Sequence, residues 1–284
     1  MARDGIDSSP PSTILDLVES RLGRSTAVRP YEREQRHQSW RITTAAGEFW
    51  LKLEGGGTAF ACLTNEAQAL RDLAHTANVP ELVLDGTVND VDFLVTRHRP
   101  GLPLDQVPDL SAHHIAALLG QLDFLHTSTS STTPVHQIEQ ASLYAPNADP
   151  VSCVNAVHRR LRSSVSNHRL DELVDLVSTM GPRGSRPPVR VHGSSDPSNI
   201  LVSGDGSVSF LDWEACRLGP AGIDRAAVTF GLLSMGRPDL AEVAFSGSSH
   251  TAGFLVLRLL YLQSNGRLQD RLISAVTRLL HRET

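Results

Sequence analysis

Lysine is almost absent from this chain. Of its 26 lysines and arginines, Lys52 in "FWLKLE" is the single lysine, and arginine carries positive charge everywhere else. Cysteine is scarce too: Cys62, Cys153 and Cys216 are scattered and odd in number. None forms the close pairs that zinc sites or redox motifs need, so a reducing cytoplasm is the simplest expectation. No apolar run approaches the roughly eighteen residues needed to span a bilayer. A polar Pro/Ser stretch precedes the first apolar run, so neither a signal peptide nor a membrane anchor is expected. Positive charge is not in excess: the net charge of −5 and pI near 6.2 exclude the broad basic surface of a non-specific nucleic-acid binder. What is present is a chain of 284 residues with 40% hydrophobic content, enough to bury a full core in one large or two coupled lobes.

After the Pro-Pro break, "STILDLVESRLG" places Ile14, Leu15, Leu17, Val18 and Leu22 at helical spacing behind a Ser/Thr cap and ends at Gly23, which predicts a short helix. "SWRITTAAGEFWLKLE" predicts a hairpin turning at Ala45 to Gly47. "TNEAQALRDLAH" predicts a helix with Thr64 as N-cap and Ala67, Leu70, Leu73 and Ala74 on one stripe. "VPELVLDGTV" and "VDFLVTRH", separated by Asn-Asp, predict a second hairpin. Past the opening helix, the first hundred residues therefore read strand, strand, helix, strand, strand. Pro100, Gly101 and Pro103 interrupt the pattern as a hinge. Beyond it the chain is mostly helical: "DLSAHHIAALLGQLDFLHTS" and "SVSNHRLDELVDLVSTM" are amphipathic, and Thr251 to His281 reads as two helices broken near "SNG". "TSTSSTTPVHQ" reads as a Ser/Thr-rich surface connection.

Four residues are chemically suggestive together. Lys52 ends a strand, and a compact ammonium is not replaceable by a guanidinium where point contact with phosphate oxygens is required; the plain alternative is a lysine at a strand edge. Glu66 falls on the polar side of its helix, which alone describes a solvated charge, yet it could hold the Lys52 ammonium in place. Asn199, closing "HGSSDPSN", and Asp212, in "VSFLDWE", offer an amide oxygen and a carboxylate, hard ligands suited to magnesium.

From about Trp40 to Val228 the chain resembles the aminoglycoside phosphotransferase and choline kinase family, whose fold is that of the protein kinases. The resemblance rests on "FWLKLE", "TNEAQALRDL", "LVTRHRPGLPL", "LLGQLDFLHTS", "VHGSSDPSNILV" and "FLDWEACRLGPAGIDRAAV". It implies an α+β, two-lobed protein-kinase-like fold: an N-terminal antiparallel-sheet lobe at 1–97, a hinge at 98–102 and a larger, mainly helical C-terminal lobe at 103–284, with the nucleotide between the lobes. It implies ATP and Mg2+ as cofactors, Lys52 on the nucleotide phosphates with Glu66 as its ion-pair partner, and Asn199 and Asp212 on magnesium. His192 would support the loop, Asp224 would brace it through backbone hydrogen bonds, and the connector from Thr96 to His98 would meet the adenine edge with backbone groups.

Two departures from the family pattern follow. The turn "YEREQRHQSW", where small residues or glycine often let backbone N–H groups approach the phosphates, holds no glycine; Arg33, Arg36, His37 or Gln38 could cover the nucleotide instead, or the stretch is an ordinary polar turn. And the residue after His-Gly, an aspartate in the family that deprotonates the acceptor hydroxyl, is Ser194. Asp196 lies two residues on, within roughly 7 Å of extended chain: it is either a relocated base or a turn residue before Pro197. General-base catalysis contributes about 10²- to 10⁴-fold, whereas phosphoryl transfer rests chiefly on positioning and charge neutralisation. Loss of the base alone slows such a reaction without abolishing it.

The expectation is an ATP- and Mg-dependent kinase that phosphorylates a hydroxyl of a small molecule or of Ser/Thr in a natural-product precursor peptide, with Asp196 and Ser194 in the catalytic loop. A pathway partner protein is a further expectation; nucleic acid and membrane are not. Arg258, Arg267, Arg271, Arg278 and Arg282 stand against Asp270 and Glu283 in the last helices, so the region is not the acidic pocket that a polycationic aminoglycoside requires. The alternative is a pseudokinase that acts as a nucleotide-binding partner or scaffold.

Overall fold

In a computed structural model the described residues are 9–31, 37–54, 62–75, 78–128, 149–161, 167–180, 187–245 and 248–282. They form two compact units, Met1–Gly101 with Ser209–Cys216, and Leu102–Val208 with Arg217–Thr284.

The first unit opens with helix α1 (Ser12–Leu22), followed by strands β1 (Ser25–Pro30), β2 (Gln38–Thr44) and β3 (Gly47–Leu53). Helix α2 (Leu63–Leu73) precedes β4 (Leu82–Val88) and β5 (Val91–Arg97). The strands make one antiparallel sheet in the order β1-β2-β3-β5-β4. Asn89 and Asp90 turn the second hairpin with φ of 50° and 61°, the left-handed pair that a tight two-residue turn demands. Strand alternation sorts β3 cleanly: Phe49, Leu51 and Leu53 enter a core with Ile14, Val18, Trp40, Ile42, Phe93 and Val95, leaving Trp50 and Lys52 on the other face. The opening helix starts one residue earlier than a Ser/Thr cap would place it, with Pro11 at the cap, and β1 is an additional strand that its composition did not announce.

The second unit begins with the two-residue strand β6 (Leu102–Pro103), then α3 (Ala112–Thr127), α4 (Pro150–Leu161) and α5 (His168–Thr179). Short strands β7 (Val189–Val191) and β8 (Ile200–Val202) flank the "HGSSDPSN" loop, and β9 (Val208–Phe210) leads the chain into the 209–216 segment. β6 pairs with β8, and β10 (Arg217–Gly219) pairs with β7. The unit is completed by α6 (Gly222–Ser234), α7 (Pro238–Ala244), α8 (Ser249–Ser264) and α9 (Asp270–His281); the last two are the pair expected on either side of "SNG". Most of the "TSTSSTTPVHQ" connection lies outside the described residues. No helix among the described residues is long and apolar enough to cross a membrane.

Candidate active site

Lys52 is held in the middle of its sheet, opposite Ser39 on β2 and Leu94 on β5, so its stem is fixed by neighbours on both sides. Its ammonium donates to Glu66 Oε1 and Oε2 at 3.1 and 2.9 Å and to Asp212 Oδ1 at 2.7 Å. Glu66 reaches it from the first turn of α2 and is buried, its side chain 3% exposed. Glu66 is thus not on the solvated side of α2 as expected: it lies on the buried face with Leu63, Ala67, Leu70 and Leu73, three or four residues apart on the helix, and meets Lys52 there. Burial works against the Lys52 charge, but the Glu66 and Asp212 carboxylates outweigh it and hold the ammonium above the ordinary lysine range. Burial raises the Glu66 carboxyl, against the pull of Lys52.

Asp212 is a non-glycine residue at φ 64°, ψ 65°, a backbone state costing about 1–3 kcal/mol that persists only when its surroundings over-determine it. They do so here. Trp213 is fully buried, with its indole N–H on Phe210 O at 3.0 Å. The Cys216 N–H closes the turn on Trp213 O at 3.0 Å, and Asn65 Nδ2, on α2, donates to the carbonyls of Glu214 and Cys216. The same helix therefore supplies both the partner of Lys52 and the clamp on the Asp212 turn. Thr64 does not cap α2; Cys62 occupies that position without a side-chain hydrogen bond, and the Glu54 carboxylate accepts the Leu63 N–H at 2.8 Å instead.

The connector is anchored to the sheet. Thr96 lies opposite Trp50, and the His98 ring stacks on Trp50 with centroids 6.0 Å apart. The N–H groups of Arg97 and His98 are committed to Glu81 O and Glu48 O. Of the side chains considered for covering a nucleotide, Arg33 and Arg36 lie outside the described residues, and Gln38 is exposed at the start of β2. His37 points inward: its ring is buried and hydrogen-bonded to Glu214.

In the second unit Asp224, on the first turn of α6, organises the loop after β7. Its Oδ2 accepts the His192 N–H at 2.9 Å and lies 3.1 Å from His126 Nε2. Its Oδ1 accepts the Gly193 N–H and the Ser195 hydroxyl, both at 2.9 Å. Burial alone would raise this carboxyl, but the hydrogen bond and charge of His126, with His192 and Gly193, bring it below the usual aspartate value. Gly193 takes φ 81°, which a side chain would oppose. Asn199 Nδ2 donates to Ser194 O at 3.0 Å and Ser194 Oγ at 3.1 Å. The amide is thereby oriented with its NH₂ end on the loop, so Oδ1 is the end available as a hard ligand. Asp196 accepts from Arg258 Nη2, on α8, at 2.6 Å, and the Arg258 guanidinium lies 5.3 Å from the Phe230 ring centroid. Pro197 sits so close to Gly231 that a Cβ there would lie 2.3 Å from the proline Cγ.

The structure thus assembles Lys52, Glu66 and Asp212 in the first unit, and Ser194, Asp196 and Asn199 on one loop in the second. Asn65, His126 and Arg258 are site neighbours to which the sequence assigned no such role, since each acts across a long sequence separation.

A sheet lysine pinned by a helical glutamate, followed by a braced His-Gly loop and an aspartate turn, defines a phosphotransferase with a protein-kinase-like fold. The chain belongs to the phosphotransferase enzyme family, whose model matches residues 27–260. Solved structures similar to it include a thermostable mutant of aminoglycoside phosphotransferase APH(4)-Ia in ternary complex with ADP and hygromycin B (12% identity, 95% of this chain and 98% of that one covered, TM-score 0.66). Others are the GDP complex of aminoglycoside 2'-phosphotransferase-IIIa (16%, 96% and 97%, 0.63) and spectinomycin phosphotransferase APH(9)-Ia with ADP and spectinomycin (11%, 95% and 93%, 0.59). At these identities the likeness is one of fold. No curated protein matches the sequence.

Proposed function

We propose that the protein transfers the γ-phosphate of ATP, with Mg2+, to a hydroxyl of a small molecule or of Ser/Thr in a precursor peptide. The observation that carries this reading is Lys52 seated between Glu66 and Asp212. One ammonium against two carboxylates leaves a local negative excess that a divalent cation complements, and Asp212, with its side chain 31% exposed, is open to one. The donor chemistry suits these cofactors: in the first unit Lys52 suits phosphate oxygens and Asp212 is a hard oxygen ligand, and in the second Asn199 offers another. Magnesium, when bound, neutralises charge on the phosphates.

The chain's own residues divide the remaining work. Lys52, aimed by Glu66, holds the nucleotide phosphates. Asp196, oriented by Arg258, takes the proton of the acceptor hydroxyl as its oxygen bonds to the γ-phosphorus and the bond to the ADP oxygen breaks. Ser194, whose hydroxyl accepts from Asn199, keeps that amide in place. The arginines of α8 and α9 support an acceptor other than a polycation.

The test is to incubate the protein with Mg·ATP and candidate hydroxyl compounds and Ser/Thr peptides, and to read phosphorylation by mass spectrometry. A mass gain of one phosphate that requires Asp196 supports the reading. Nucleotide binding without transfer to any acceptor favours instead a nucleotide-binding partner protein, the reading to which Ser194 in the base position points.

A further inference from the structure

His37 lies where three segments of the first unit meet. It immediately precedes β2, its ring is buried, and its Nε2–H donates to the Glu214 carboxylate. On the opposite edge of the ring, Nδ1 is 3.7 Å from Glu54 Oε1, a buried oxygen without a hydrogen-bond partner among the described residues. Both glutamates are tied to the groups around Lys52. Glu214 is two residues beyond Asp212, and its carbonyl is clamped by Asn65. Glu54 accepts the first N–H of α2, the helix that carries Glu66.

We infer that His37 is a positioning residue: it grips Glu214 and so fixes the turn that presents Asp212, while its other edge faces the glutamate that seats α2. Asp212 holds a left-handed backbone conformation that relaxes unless the turn after it is restrained, and among the described residues the restraints include Trp213, Asn65, the Lys52–Asp212 ion pair and the His37–Glu214 hydrogen bond. Of these, only His37 comes from the segment preceding β2, whose place in the family pattern is the phosphate-covering turn. His37, at the end of the turn without glycine, therefore contributes to the site through a buried ring that orders the Asp212 turn. The metal part of this inference rests on the reading of Asp212 as a magnesium ligand; the ordering part does not.

The experiment separates the two. Backbone hydrogen exchange is followed by mass spectrometry in nucleotide-free wild type and in His37→Phe, which keeps a ring but removes both nitrogens, with the Cys216 amide as reporter of the turn. ATP affinity is then measured with and without Mg2+ on the same proteins. The expected result is exchange about tenfold faster over residues 212–216 with the sheet unchanged, and a fall of about 10- to 100-fold in the Mg2+-dependent gain in ATP affinity, the range for losing a group that orients a metal ligand. ATP affinity without Mg2+ stays within about threefold, and His37→Gln, which keeps a donor, recovers part of the loss. Unchanged exchange over 212–216 in folded His37→Phe overturns the inference. If wild type gains nothing from Mg2+, the functional reading fails while the exchange result still decides the role of His37. If His37→Phe does not fold, Glu214→Ala removes the same hydrogen bond from the other side, and unchanged exchange there overturns the inference equally.

Discussion

Arg258 Nη2 donates to Asp196 Oδ1 at 2.6 Å, across 62 residues of sequence, and so fixes the direction of the one carboxylate in the loop that follows His192. An aspartate serving only to start a turn before Pro197 needs no such partner. Asp196→Asn is expected to lower kcat by about 10²- to 10⁴-fold, the usual contribution of a general base. Arg258→Ala, which removes only the orientation, is expected to cost about 10- to 100-fold, and the double variant to be no slower than Asp196→Asn. Steady-state kinetics on a phosphorylated acceptor measures all three; an Asp196→Asn enzyme with wild-type kcat excludes the assignment.

Ser194 separates two accounts of the same loop. Its hydroxyl is one of two acceptors for Asn199 Nδ2, the other being its own carbonyl. Ser194→Ala keeps the carbonyl and is expected to retain kcat within about threefold. Ser194→Asp is expected to give no gain where Asp196 already supplies the base; an increase of about 10²-fold or more would return that role to the position after His-Gly.

Asp224 makes stability depend on acid. Its carboxyl is depressed in the folded protein, so its contribution is fully present above the ordinary aspartate value of about 3.9 and is lost as pH falls through the lower folded value. Asp224→Asn is expected to destabilise the protein at neutral pH by about 1–3 kcal/mol, since the N–H groups of His192 and Gly193 and the Ser195 hydroxyl lose an anionic acceptor. The same variant should flatten the acid limb of the stability curve. Denaturant melts between neutral pH and pH 3 check both outcomes; an acid limb as steep as that of wild type would assign it to other carboxyls.

Where sequence and structure agree, the signal is local. The two hairpins follow from alternation and turn residues, and the α8–α9 pair from apolar periodicity broken by Ser-Asn-Gly. Lys52 stood out because it has no lysine for company, Asn199 because it closes a polar loop and Asp212 because it follows a strand. What escaped depends on partners far along the chain. The cap of α2 is one such case, since Glu54 accepts the Leu63 N–H and the nearby Thr64 does not cap the helix, whereas the Lys52–Glu66 pair follows from the family resemblance. Helix α6 is buried nearly all round, so it shows no amphipathic stripe to announce it. His37 and Arg258 look like ordinary surface charges until the fold places Glu214 and Asp196 beside them. Burial of a charge by a distant counter-charge leaves no periodic trace in a sequence.

The most direct test is calorimetric titration of the folded protein with ATP, with and without Mg2+, alongside Lys52→Ala and Asp212→Asn. The account predicts binding that Mg2+ strengthens, lost or weakened by about 10²-fold or more in Lys52→Ala, with the Mg2+-dependent gain abolished in Asp212→Asn. Folded wild-type protein that binds no ATP in the presence of Mg2+, or that binds it equally well without Lys52, would contradict it.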